Sequence, residues 1–418
     1  MTAYSTQGSK LEFSKQSAFG TASSGTYDDI RPEGTPSIKT AVGEGNMPET
    51  VFINPNDVDK PIVYNRAMDD AVTVSTLIRQ AATAGETSFT KDAFLAGGYV
   101  VTTNNNSTID TYSTTTSFAA ADDNFAVGQC VNVQLDDGTW VPTLIAQYNT
   151  GNAIVPAMAL PSAASGTSLA LNSCDTITPG DTGAITASDL LTIRAFFKAQ
   201  DTGSDVVYQA QDCAVTSIAD LSLEPGEKVN LEFTFGASDL SASTGAMGTN
   251  DFRDGTEHRV FNEPWCQFAT SASAGGIAAA YHKLMSATFS WGVTAEQIPG
   301  MGDSACSNNV QGWMQKNAPA KLTMTLLYDE QKLDDFDGTN PDKYVGIIQP
   351  GTSEDSPAFG LFLPKAHITS VTHEPWTENE HRVTIEMTPQ PAGLDSATGN
   401  TQGNQPWYFC IAADSTDA

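Results

Sequence analysis

The side chains that could do chemistry here are five histidines, six cysteines and a large excess of carboxylates, and none falls into a recognisable catalytic pattern. His367 and His373 stand six apart and, on one strand, would face the same side as two zinc ligands do. Neither has a cysteine or carboxylate at ligand spacing. The acid-rich stretch Asp329, Glu330, Asp334, Asp335, Asp337 and Asp342 invites a calcium reading. An EF-hand loop would need an oxygen ligand where Leu333 stands and a glutamate where Tyr344 stands, so a solvated acidic loop is expected instead. LEPGEKV holds Gly226 and Lys228 but lacks the first glycine and the Ser or Thr of a phosphate-binding loop. It reads as a turn centred on Pro225 and Gly226. Signatures of nucleophile elbows, zinc proteases and dinucleotide folds are absent. No catalytic, cofactor-binding or metal-ligating residue is therefore expected.

Cys130, Cys174, Cys213, Cys266, Cys306 and Cys410 are scattered, with no CxxC pair, and read as small buried thiols. Trp140, Trp265, Trp291, Trp313, Trp376 and Trp407 could stack on sugars, but their spread along the chain favours core or subunit-contact anchors.

The elements that would position any of these residues are strands. Of 418 residues, 40% are apolar and only 17% charged, with Ser, Thr, Gly and Asn filling the remainder, a composition of strands and turns. With 49 acidic against 20 basic residues the net charge is −29, which excludes a protein that grips nucleic-acid phosphates. No apolar run approaches the roughly 20 residues of a membrane span. The N-terminus lacks the basic-then-apolar order of a secretory signal, so the chain is expected to stay in the cytoplasm until assembled.

Period-two alternation marks half-buried strands at Val72 and Val74, at Val131, Val133 and Leu135, and at Val229, Leu231 and Phe233. Asp136 to Gly138 is a hairpin signal between two alternating runs and predicts a small β-insert. Two internal likenesses run in the same order. LTIRAFFKAQ from Leu191 matches LTMTLLYDEQ from Leu322. AVTSIADLSLEPGEKVNLEFTF from Ala214 matches HITSVTHEPWTENEHRVTIEMT from His367, pairing Thr216 and Ser217 with Thr369 and Ser370, and Val229 and Glu232 with Val383 and Glu386. They predict a duplicated β-module. The domain reading is an extended N-terminal arm over 1–60, a first module over 61–119 and 175–246 interrupted by the insert over 120–174, a linker over 247–262, a second module over 263–391, and a C-terminal tail over 392–418. Val229, Leu231, Phe233, Val383, Ile385 and Met387 are expected in the module cores. Asn230, Glu232, Thr384 and Glu386 are expected on the opposite face.

The hairpin LSLEPGEKVNLEFTFGA, preceded by CAVTSI, resembles the major tail tube proteins of long non-contractile-tailed bacteriophages. Its echo from His367 to Pro389 and the stretch FAVGQCVNVQL share the resemblance, which covers about a quarter of the chain. The resemblance implies β-sandwich or barrel-like modules joined into closed rings, stacked as a virion tail tube that conducts DNA during ejection without specific binding. Two modules per chain imply a trimer per ring, and a hexamer if the duplication fails. The implied partners are further copies, a tail terminator, a tape measure and distal tail proteins, with assembly in the host cytoplasm and no membrane. The face with Asn230, Glu232, Thr384 and Glu386 would then line an electronegative lumen. The N-terminal arm, the acidic loop and the C-terminal strand would contact adjacent rings. A virion adhesin or head-decoration protein is the alternative. A polysaccharide-active enzyme ranks third, because no carboxylate pair can be singled out.

Overall fold

The computed structural model describes residues 4–34, 36–38, 48–49, 62–63, 68–79, 88–102, 106–110, 114–115, 117–121, 125–149, 153–157, 160–161, 170–179, 184–199, 204–248, 252, 261, 265–269, 283–299, 310–327, 341–349, 359–374, 382–394 and 401–411. The protein is mainly β. Among the described residues the one α-helix is Phe89–Ala96, and no helix is long and apolar enough to cross a membrane.

Five long strands of the first sheet lie in the order Tyr4–Lys15, Leu191–Ala199, Asp205–Ile218, Asn230–Ala237, Met68–Leu77, every neighbour antiparallel. Ser37–Ile38 follows at the far edge, and Asp239–Gly245 pairs with the N-terminal half of Asp205–Ile218. Alternation drives this arrangement, since Leu231, Phe233 and Phe235 point inward with Val72 and Val74 while Glu232 and Thr73 point away. Tyr4–Lys15 corrects the expectation of an extended arm. Leu11 and Phe13 alternate with Lys10 and Glu12, bury in the core, and make the segment an integral strand.

The second sheet has its long strands in the order Trp265–Ala269, Asp342–Gln349, Phe359–His373, Arg382–Gln390, Lys321–Leu327, again antiparallel. Leu284–Ser290 follows at the far edge, and Tyr408–Ile411 pairs with the N-terminal half of Phe359–His373. Ranked by place in the chain, both sheets read first, third, fourth, fifth, second. Each hairpin of fourth and fifth strands also carries one bulge, between Val215 and Ser217 in the first sheet and between Ile368 and Ser370 in the second. The bulged residues are Thr216 and Thr369. Their hydroxyls donate to equivalent carbonyls, Thr234 O at 3.2 Å and Glu386 O at 3.1 Å.

These registers revise the internal alignment. The match of Thr216 with Thr369 falls at equivalent bulges, but on the returning strands Leu231, not Val229, corresponds to Val383. A two-residue slip keeps every side chain on its own face, so alternation alone could not detect it. The match of Leu191 with Leu322 joins the third strand of one sheet to the second of the other. Any strand buried on one face produces such a pattern.

The halves also exchange strands across the expected domain limits. Val100–Thr102, Asp175–Thr178 and Leu221–Leu223 belong to the second sheet, and Ala184–Ile185 pairs with the hairpin Val293–Pro299 and Val310–Asn317. The insert begins earlier than expected, taking in Asn106–Thr108 and Phe118–Ala119. It recruits Gly393–Leu394 and Thr401–Gly403 from the expected tail. Its hairpin Cys130–Gln134 and Trp140–Asn149 turns at the Asp136–Gly138 signal, where Gly138 has φ +83°. Val131, Val133 and Ile145 form the insert's own core, while Cys130 and Leu144 pack the opposite side onto Tyr344, Phe362 and Tyr408.

One hydrophobic core takes in residues of both main sheets and of the helix. Ser88 caps the helix by accepting from Lys91 N at 3.3 Å, Gly97 ends it, and the signal SFTKDAFLAGG is readable in hindsight. Phe89 meets Phe13 and Phe235 of the first sheet. Phe94 touches Phe233 on one side and Trp291 and Phe409 on the other. Lys91 pairs with Asp175 at 2.8 Å and Asp92 with Lys15 at 2.6 Å, tying the helix to strands of both sheets.

Candidate assembly surface

Val229, Leu231, Phe233, Val383, Ile385 and Met387 lie in the core, each at most 1% exposed. On the reverse face Asn230 and Glu232 are exposed, and Thr384 and Glu386 half-buried. Around them stand Thr73, Ser75 and Thr234 in the first sheet and Thr323, Thr325 and Thr388 in the second, all half-buried. Thr325 and Thr384 share a hydroxyl–hydroxyl bond of 3.1 Å, and Thr384 Oγ1 donates to Glu374 at 3.3 Å. Lys321 pairs with Glu386 at 3.0 Å, the two side chains 49% and 38% exposed, so this contact adds little stability but halves the charge there. Each sheet thus has a hydroxyl-rich outer face with scattered carboxylates, rather than a concentrated acidic one.

The other sequence candidates disperse. His367 Nδ1 lies 2.8 Å from Asp342 Oδ1, and Lys365 approaches the other oxygen at 3.1 Å. The His367 hydrogen bond, with help from Lys365, holds the Asp342 carboxyl below its usual range against the opposing effect of burial. The expected common side for His367 and His373 fails because the bulge at Thr369 lies between them. His367 stands opposite Thr388 of the outer face and His373 opposite Val383 of the core face. Among the described residues no three His, Cys, Asp or Glu side chains converge to hold a metal ion. Asp329 to Asp337 lie outside the described residues.

Cys130, Cys174, Cys213, Cys266 and Cys410 are buried, and Cys306 lies outside the described residues. Burial pushes the Cys130, Cys174, Cys213 and Cys410 thiols up, which keeps them protonated and unreactive. Cys130 N donates to Cys410 Sγ at 3.2 Å, and that thiol donates to Gly128 O at 3.0 Å. These bonds lock the C-terminal strand to the insert. Trp291, Trp313 and Trp407 are buried as anchors and Trp140 is half-buried; the side chains of Trp265 and Trp376 lie outside the described residues.

Sequence reasoning missed Asp212. This carboxylate is fully buried at φ +52°, accepting from Gly20 N at 2.9 Å, from the Ser238 hydroxyl, and from Gln16 at 3.0 Å with its amide nitrogen turned inward. Burial raises its pKa despite these donors. Its work is structural, since it pins the segment after the first strand to the centre of the sheet.

What the molecule offers on its outside is sheet edge. Asp239–Gly245 pairs only with Asp205–Gln211 among the described residues, and Ser241, Ala242, Ser243 and Thr244 are all exposed. Ser37–Ile38 ends the same side of the first sheet, beyond Met68–Leu77, with Ser37 exposed. Such rows of backbone donors and acceptors are suited to adding a strand. No protein-family model matches the chain, and no curated protein is significantly similar to it.

Proposed function

We propose that this chain is the structural subunit of a bacteriophage tail tube, built from two copies of one β-module and assembling as a trimer per ring. The observation that carries the reading is the recurrence of one strand order and one threonine bulge in both sheets. Unrelated sheets share a pleat and a twist, but seldom a five-strand permutation together with a bulge at the same register.

Two similar modules in one polypeptide give three chains the valence of six, so a closed wall can form with no sheet edge left exposed. The outer sheet face of each module, with Asn230 and Glu232 in the first and Thr384 and Glu386 in the second, would line the lumen. Its threonines offer short, neutral, well-hydrated groups, and its few carboxylates repel phosphate, so DNA slides without sticking. The net charge of −29 acts over longer range in the same sense. In this reading the chain works in the virion tail after assembly in the host cytoplasm, with terminator, tape-measure and distal tail proteins at its ends.

The insert's separate core supports the second reading, an adhesin or head-decoration protein in which that unit binds a glycan or capsid. Negative-stain microscopy of the purified full chain tests both. Hollow tubes or threefold rings are expected. Monomers at every protein and salt concentration would overturn the tube reading, and discrete particles binding glycan or capsid would establish the second.

A further inference from the structure

Within the chain the two halves meet in one direction. Connections of the first half cover two edges of the second sheet: Leu221–Leu223 runs along Leu284–Ser290, and Asp175–Ile177 along Tyr408–Ile411. Ser290 Oγ donates to Asp220 at 2.6 Å and Trp291 Nε1 to Ala219 O at 3.0 Å, closing the first of these contacts.

The first sheet has strands at the corresponding places. Ile38 stands opposite Val72 and Val72 opposite Phe235, as Phe289 stands opposite Leu322 and Leu322 opposite Met387. Ser243 stands opposite Val207 as Cys410 stands opposite Gly360. Their surroundings differ. Tyr408, Phe409, Cys410 and Ile411 are buried between two strands, whereas Ser241 to Thr244 are exposed and, among the described residues, the outer side of their strand is unpaired. That strand, DLSASTG, also lacks the lysine, proline or bulge with which exposed edges are usually protected against strand addition.

We infer that the edge formed by Asp239–Gly245, together with Ser37–Ile38, is the docking surface for the C-terminal half of a second copy of this chain. The contact repeats between chains the one that joins the halves within a chain. It is heterologous, one surface meeting a different one, so it propagates in one rotational sense instead of stopping at a twofold dimer, and three copies close the ring of the assembly reading when that rotation is a third of a turn. It rests on the assembly reading above and adds which edge is used and which half fills it.

Hydrogen exchange of the full-length chain, measured at low concentration and after assembly, tests this directly. Amides of 240–245 are expected to exchange at least about tenfold more slowly after assembly, while those of Ala287, Thr288 and Phe289, already paired on both sides, stay unchanged. The double variant Ser241→Lys with Ser243→Lys, on an exposed strand, is expected to keep its melting temperature and remain monomeric. Tubes or rings whose 240–245 amides exchange as fast as in the monomer overturn this inference and leave the tube reading standing. So does assembly of the double variant at wild-type concentrations, or a dimer that grows no further. Failure of the wild type to associate at all removes both readings. A variant that unfolds leaves the exchange comparison on the wild type to decide.

Discussion

Replacing Phe94 by alanine should cost more than any single change on the surface, because this ring is where the two sheets are joined. It is 0% exposed, with ring centroids 5.1 Å from Tyr99, 5.4 Å from Phe233, 5.1 Å from Trp291 and 6.0 Å from Phe409. Truncating a buried phenylalanine costs about 3–5 kcal/mol in lost transfer energy and residual cavity. Each edge-to-face pair adds about 0.5–1.5 kcal/mol. Because the surrounding rings come from both sheets and from the segments after the helix and after Ser290, they cannot collapse together into the gap, and the upper part of the range applies. A loss of about 4 kcal/mol is close to a thousandfold in the folding equilibrium and a large share of a typical domain's stability. Urea unfolding followed by tryptophan emission is the suitable assay, since Trp291 and Trp407 are 2% and 1% exposed beside the site. With a slope of about 3 kcal/mol per molar, the midpoint should fall by more than 1 M. Phe94→Leu, which keeps most of the volume, should lose less than about half as much. Phe197, half-buried against Tyr208, is the control position, and its alanine variant should shift the midpoint little. If Phe94→Ala costs under about 1.5 kcal/mol, or no more than Phe197→Ala, the claim of one core shared by both sheets is wrong.

Gly128→Ala should destabilise by more than about 3 kcal/mol, because φ is +85° and the added methyl would lie 2.1 Å from Tyr408 Cγ. Tyr408→Ala in the same chain should relieve the clash but not the backbone strain, a difference readable in thermal melts. Thr216→Val and Thr369→Val should each cost about 1 kcal/mol, and by the same amount within about 0.5, since each removes one hydroxyl bond at a matching bulge. A clear cost in one sheet and none in the other would undo the equivalence of the two hairpins. Asp212 has a raised pKa in the folded protein, so above that value its buried charge opposes folding, and protonation as pH falls relieves the opposition. The melting temperature of the wild type relative to Asp212→Asn should therefore rise as pH is lowered from 7 toward the ordinary carboxylate range; a difference flat with pH would show that burial does not govern this group. Removing 1–15 should leave the chain unfolded by circular dichroism, because it takes away a sheet strand with Leu11 and Phe13.

Local chemistry determined much of this molecule before any contact was known. Alternation at Val229, Leu231 and Phe233, and again at Val383, Ile385 and Met387, set which faces turn inward, because a side chain's face in a strand depends only on its parity. The turn at Asp136 to Gly138 and the likeness of Thr216 to Thr369 were readable for the same reason, each resting on a few adjacent residues. Parity says nothing of neighbours, however, and there the tertiary structure decided. Leu191 and Leu322 look alike yet occupy different places in their sheets, His367 and His373 are turned apart by a bulge, Tyr4–Lys15 is a sheet strand rather than an arm, and Tyr408–Ile411 is an interior strand of the second sheet. The helix at Phe89–Ala96 stayed hidden because eight residues give barely two turns of periodicity. Which strand lies beside which is settled by contacts between residues hundreds of positions apart, such as Phe94 with Phe409 or Cys130 with Cys410. The free energy of those contacts exists only once the chain has folded around them.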